Sequence, residues 1–278
     1  MAFVGAPDER RLALQLACAG RSQQTFLLVT GAFFVISATV TIVGCASMSA
    51  MGELPMAGGW TMSMMWMPMC GQTWIDAAAS FLGMWIVMMI AMMLPALVPM
   101  LWRYRASASG MSEMRLHGLT VMLALGYFLI WIAIGLAAFP VGAALAIAAM
   151  EQPNFAQALP MAAGVVVLMA GALQFTAWKA RHLACCHKLP MSGETVPADA
   201  RAALRYGLNL GLHCSSSCAG LTLILLVVGV MDLRAMAVVT AAITVERLAP
   251  TGWRVVSVHG AIAIGAGMFM ILRAVGIA

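Results

Sequence analysis

Residues 118–150 read GLTVMLALGYFLIWIAIGLAAFPVGAALAIAAM, a stretch without one charged side chain. As a helix at ~1.5 Å per residue it would be ~50 Å long, more than the ~30 Å hydrocarbon core of a bilayer. Further apolar runs flank it, beginning with FLLVTGAFFVISATVTIVGCA at Phe26–Ala46. Charged residues make up 9% of the chain and hydrophobic ones 63%, with a mean hydropathy of +0.96. A soluble domain of this size carries about 25% charged residues, so a membrane is the solvent. In lipid every backbone polar group needs an internal partner, which leaves helices or a closed barrel. The runs are continuous rather than alternating, and helices follow.

The expected fold is therefore all-α: one polytopic transmembrane helical bundle of about seven spans. They are drawn at 26–46, 75–101, 118–139, 157–178, 208–231, 235–249 and 255–272. Pro140 is expected to break the long third run, leaving 141–150 as a tilted or interfacial extension. Met1–Gln24 is polar and basic, so no cleavable signal peptide is expected. With the N-terminus inside, the inner segments hold Arg10, Arg11, Arg21, Arg103, Arg105, Arg115, Lys179, Arg181, Lys188, Arg201, Arg205, Arg247 and Arg254. Those are 13 of the 15 basic residues, and only Arg234 and Arg273 fall outside. The bias gives an N-in, C-out topology. It leaves an outer loop at 47–74 and an inner loop at 179–205. The net charge of +5 is then a matter of orientation and is no nucleic-acid footprint. No Gly-rich phosphate loop, nucleophile elbow, internal repeat or second domain is present.

Soft metal ligands crowd the inner side. KARHLACCHKLP (Lys179–Pro190) carries His182, Cys185, Cys186 and His187, and GLHCSSSCAG (Gly211–Gly220) carries His213, Cys214 and Cys218. Counting back ~20 residues from Asp232 puts the inner end of the fifth span near Leu212, level with the first group. Cys214 and Cys218 are spaced i, i+4 and share one helix face, so two thiolates could reach one ion. Cys186, Cys185, His182 and His213 are candidates to complete the site. Thiolate and imidazole suit Cu(I) or, less well here, Zn. The alternatives are reduced cysteines packed as small hydrophobes, or palmitoylation of Cys185 and Cys186.

The 26 methionines add to this pattern. Met84, Met88 and Met92 run i, i+4 along the second span, with Trp85, Met89 and Met93 on the neighbouring stripe. Thioethers favour Cu(I), and the M-x-x-x-M step locally resembles the ladder of eukaryotic high-affinity copper transporters. Ordinary helix packing by an adaptable side chain is the other reading. The outer loop packs Met62, Met64, Met65, Met67 and Met69 together, ending at Cys70, where solvent rather than core is expected. These are either soft ligands or an interfacial segment anchored by Trp60, Trp66 and Trp74. Cys45 and Cys70 both face that side, and spacing alone does not decide whether they form a disulfide. Between Arg234 and Glu246 the sixth span offers only 11 residues. Glu246 and Arg247 must then sit at the depth of the cysteine cluster, as an ion pair, a proton site or snorkelling helix-end charges. Asp76 is expected to cap the second span. His259 is a weaker ligand candidate, and His117 a solvated interface residue.

WIVMMIAMMLP (Trp85–Pro95), WKARHLACCHKLP, GLHCSSSCAGLTLILLVVGVMDL and VERLAP together resemble a bacterial family described as predicted metal-binding integral membrane proteins. Its K-x-x-C-L-x-x-C motif falls on Lys179, His182, Leu183 and Cys186, with His182 in place of a Cys. Its G-x-x-C-x-x-C-C-W motif falls on Gly211, Cys214 and Cys218, with Ser217 and Ala219 replacing Cys and Trp. Its E-K-x-x-P ending falls on Glu246, Arg247 and Pro250. The resemblance implies metal binding in a bacterial inner membrane.

The leading expectation is a multi-pass inner-membrane metal-handling protein for Cu(I) uptake or delivery. The outer Met cluster (Met64, Met67) would collect the ion, and the ladder (Met88, Met89, Met92, Met93) would carry it to the Cys/His site. The alternative is an accessory subunit or assembly factor of a larger membrane copper enzyme, with Gly207-x-x-x-Gly211 packing against partner helices. A thiol redox protein using Cys214 and Cys218 ranks below both, and no nucleophile–base pair suggests an enzyme. Expected partners are the lipid bilayer, the metal ion, and other membrane subunits or a homo-oligomer.

Overall fold

The computed structural model describes residues 6–50, 53–69, 71–107, 111–187, 199–249 and 252–276. There the chain forms α1 (Ala6–Ala50), β1 (Glu53–Pro55), β2 (Thr61–Ser63), a 3₁₀ turn (Met64–Trp66), α2 (Trp74–Ser107) and α3 (Glu113–Glu151). It continues with α4 (Pro153–Leu173), α5 (Ala177–His187), α6 (Ala200–Val228), α7 (Leu233–Leu248) and α8 (Gly252–Ala274). The fold is all-α apart from the small antiparallel hairpin β1–β2. Among the described residues six helices are long and apolar enough to cross a membrane: α1 (over Gln23–Met48), α2, α3, α4, α6 and α8. The expected sixth span is α7, which at 16 residues is ~24 Å long and shorter than a ~30 Å hydrocarbon core.

Local chemistry sets the boundaries. Thr73 and Asp76 cap α2 reciprocally, with Thr73 N donating to Asp76 Oδ2 (2.9 Å) and Asp76 N to Thr73 Oγ1 (3.3 Å). Asp199 Oδ1 accepts from Ala202 N and starts α6 at Ala200, well before the expected Leu208. Gly229, at φ +140°, ends α6, and Asp232 Oδ1 caps α7 through Arg234 N and Ala235 N. The expected fourth span (157–178) stops at Leu173. Gln174, Phe175 and Thr176 donate back only three residues, and the chain turns before Thr176 Oγ1 accepts from Lys179 N to open α5.

Pro140 does not break the third run, because α3 is continuous through it. Contacts on both sides of the proline offset its one missing hydrogen bond. On one side Trp85 lies against Gly135 and donates from Nε1 to the Trp131 carbonyl (2.8 Å). On the other, Ala143, Ala146 and Ala149 are buried and the Trp66 ring covers Gly142. The hairpin region folds down onto this end of the bundle, with Trp60 Nε1 donating to the Ala156 carbonyl (2.9 Å). Met62 and Met65 are buried there, which corrects the expectation of a wet methionine cluster. Core packing accounts for those two side chains, while Met64, Met67 and Met69 stay half-buried.

α2 is the most buried of the six apolar helices and packs against α1, α3 and α7. The most extensive helix contacts are α3 with α6 and α4 with α8. Glycines permit the first: a Cβ on Gly207 would overlap the Leu123 carbonyl oxygen, and one on Gly126 would overlap that of Leu204. A Cβ on Gly211 would come within 2.8 Å of the Tyr127 oxygen. Gly207 and Gly211 are thus used inside the chain, against α3, and not for partner helices. Gly207→Ala should destabilise the protein by about 1–3 kcal/mol, the usual cost of overpacking. Gly31→Ala, which meets nothing within 4 Å, should not. Thermal unfolding in mild detergent checks the pair.

Candidate functional site

α6 carries a buried stripe of Gly207, Gly211, Cys214, Cys218, Leu221 and Leu225, spaced alternately by four and three residues. This spacing keeps one face turned inward along the whole helix. The glycines press that face against α3, and the two cysteines come next along it. Cys214 and Cys218 are 0% and 2% exposed. The Tyr127 hydroxyl of α3 lies 2.8 Å from Cys214 Sγ. Ser217 Oγ donates to the Cys214 carbonyl (2.9 Å), as a mid-helix serine does, and lies 3.8 Å from Cys218 Sγ. α2 shares this core: its Met88, Met89, Met92 and Met93 are all buried in the same apolar cluster as the two thiols. Both methionine stripes read from the sequence therefore face the interior. The central position of α2 explains why neither is left to lipid.

The short α7 brings charge to this depth. Glu246 and Arg247 end it, 2% and 6% exposed. They do not pair with each other, because neighbouring residues on a helix point apart. Instead Glu246 accepts from Lys179 Nζ of α5 at Oε2 (2.7 Å), and its Oε1 lies 3.0 Å from His259 Nδ1 of α8. Arg247 turns to the cysteine seam, donating from one Nη to Ser217 Oγ (3.4 Å) with the other 3.9 Å from Met100 Sδ. Buried charges need such partners to stand in for water. Gln174, at the α4–α5 turn, is 1% exposed, and neither end of its carboxamide has a hydrogen-bond partner among the described residues.

The expected cluster is divided in two. His182 of α5 meets His213 of α6, Nδ1 to Nδ1 at 3.1 Å, and Trp178 packs edge-on against His182. This half-buried pair is next to, but separate from, the inward-facing thiols of Cys214 and Cys218. The side chains of Cys185, Cys186 and His187 lie outside the described residues, as does Cys70. Among the described residues no group of three or more His, Cys, Asp or Glu side chains is placed to hold a metal. Cys45 is not in a disulfide. His259 serves Glu246, and His117 stays exposed beside Arg105 (3.3 Å). Sequence reasoning missed Tyr127 and Met100 as neighbours of the site, since each lies far off in the chain, and it did not join Lys179 to Glu246, 67 positions away.

Lys179→Met should cost about 3–5 kcal/mol by stranding the Glu246 carboxylate, and Lys179→Met/Glu246→Gln markedly less. Detergent melting curves of the two variants test the ion pair. Burial lowers the His182 imidazole below its ordinary 6.5, and His213 and Arg181 beside it push the same way. A depressed histidine binds its proton more weakly folded than unfolded, so its contribution is complete above pH ~6.5 and declines as pH falls through the folded value. Acidification from pH 7 should thus weaken the wild type more than His182→Gln, read by melting temperature across the pH series.

The family model described as PpoB2, copper chaperone, matches residues 82–270. That range holds the α2 methionines from Met84 on, both α6 cysteines and the whole buried charge network, and it leaves out α1 and the hairpin. No curated protein and no solved structure matches the chain. With two thirds of its length matched, the chain belongs to the PpoB2 copper chaperone family.

Proposed function

We propose that this membrane helical protein carries Cu(I), with Cys214 and Cys218 holding the ion in the bundle and the α2 methionines forming the way to them. The observation that carries the reading is the buried core that two i, i+4 thiols share with the α2 thioethers, joined by Arg247, which reaches both Ser217 Oγ and Met100 Sδ. Thioethers in the same core as the thiols favour Cu(I) over zinc, whose protein ligands are thiolate, imidazole and carboxylate. The electrostatics support it as well. Cu(I) held by two thiolates carries one negative charge, and Lys179, Arg247 and Glu246 together carry one positive charge. Arg247, hydrogen-bonded to Ser217 between the two cysteines, is the cation placed to offset it.

In this reading the hairpin end is outside and the α5 end inside, as the basic residues require. Copper passes from thioether to thiolate and then toward His182, His213 and the Cys185–Cys186 turn of α5. A chaperone hands its ion to a recipient, so delivery to another protein fits the family better than free-standing uptake. The role is transfer of an ion and not turnover of a substrate.

Copper and zinc are measured in protein purified under reducing, mild-detergent conditions. Cys214→Ser/Cys218→Ser should hold about one Cu(I) per chain fewer than wild type, with no change in zinc. Equal copper in the two proteins would sink the assignment.

A further inference from the structure

A second group of sulfur atoms gathers at the hairpin end, away from Cys214 and Cys218. Cys45, near the end of α1, is 1% exposed, and its Sγ lies 3.6 Å from the Met231 Sδ of the α6–α7 connection. The residue before it is Gly44. A Cβ there would come within 2.9 Å of Met84 Cε and 3.0 Å of Met84 Sδ, so the α2 thioether rests directly on the α1 backbone. Met48 follows Cys45 by one turn on α1, and Met48, Met84 and Met231 are all partly buried against the same core. Three separate segments thus bring the Cys45 thiol together with the Met231 thioether, with Met84 beside them.

We propose that Cys45 and Met231, with Met84 alongside, form a second Cu(I) site that loads the methionine ladder. Two sulfurs 3.6 Å apart can both bind one ion at the ~2.3 Å of a metal–sulfur bond, with an angle of about 100° at the ion. A soft monovalent ion accepts such a low-coordinate thiolate–thioether set, while harder divalent ions need nitrogen or oxygen ligands. Binding replaces the Cys45 thiol proton, which leaves to solvent, so the bound site is neutral and needs no buried counter-charge. The partly exposed thioethers give the ion access, and Met84 lies one helical turn from Met88, the first fully buried sulfur of the ladder. Cys45 lies outside the matched range of 82–270, so this site is a feature of this chain beyond the family match.

The inference rests on the copper reading above but on different residues, and a set of variants separates them. The full chain in detergent is titrated with Cu(I) against a colorimetric chelator, and with Ag(I) as a redox-inert probe. Wild type should take up about two equivalents, Cys45→Ser and Cys214→Ser/Cys218→Ser one each, and the triple variant none. Met231→Leu keeps the volume and should weaken the outer equivalent at least ~10-fold. Ag(I) should also protect Cys45 from alkylation in wild type and less so in Met231→Leu. Retention of wild-type stoichiometry and affinity by both Cys45→Ser and Met231→Leu, with or without a lower melting temperature, would show a merely structural S–H···S contact. If only Cys45→Ser loses metal, the inner site fails and the outer one stands. If no form binds metal, both are overturned.

Discussion

The close approach of α3 and α6 is the constraint on which the rest depends. At Gly126, Gly207 and Gly211 the two backbones touch with no room for a Cβ, so α6 can neither rotate nor slide without overlap. That fixed setting carries along the stripe and decides where Cys214 and Cys218 point. Interiors are close-packed, and a helix held at one turn is held at the next. Tyr127 shows the coupling directly. Its backbone meets Gly211 and its hydroxyl meets Cys214, so one α3 residue sets both spacing and orientation. Without the glycines the thiols would face another helix or lipid.

The second requirement is charge. On the proposed reading a thiolate site in an apolar core needs a fixed cation, and a lone buried cation is itself costly. The chain meets both demands with a helix too short to span. α7 runs back from Asp232 and stops inside the bundle, where its last turn delivers Glu246 and Arg247 at the level of Ser217. Lys179 and His259 satisfy the carboxylate, which leaves the guanidinium to face the cysteine seam. A span of ordinary length would have carried these residues past the thiols to the membrane surface.

Much of this was legible in the sequence because lipid simplifies the problem. Uncharged runs gave the long helices, the i, i+4 thiols gave the inward pair, and the shortness of the Arg234–Glu246 interval placed the buried charges. The failures share a cause. Pro140, the hairpin methionines and the Gly207-x-x-x-Gly211 step were each read by local propensity, and each was decided by a tertiary contact: Trp66 on Gly142, Trp60 on Ala156, α3 on α6. Of the roles open to Glu246, the pair with its chain neighbour fails because helix geometry turns adjacent side chains apart. The Cys45–Met231 contact joins residues 186 positions apart and leaves no periodic trace in sequence.

Taken together, the sulfur atoms are graded along the bundle. On the proposed reading, the hairpin end offers one thiol among half-exposed thioethers, α2 offers thioethers alone, and α6 offers two thiols beside a guanidinium. Methionine is neutral and flexible, so it can take an ion from one ligand and release it to the next without leaving charge behind. Met84, Met88 and Met92 recur every ~6 Å along the helix, a distance that two long side chains can close between them. Thiolates bind Cu(I) more strongly than thioethers do, so the ladder is the weak stretch between two stronger ends. The inner end is the stronger of the two, with two thiolates against one and Arg247 to stabilise their charge. On that reading the asymmetry favours occupancy of the α6 pair over the outer site, and release from Cys214 and Cys218 becomes the slow step. A recipient protein with its own thiolates would then have to draw the ion off by ligand exchange, which is how a chaperone differs from a channel.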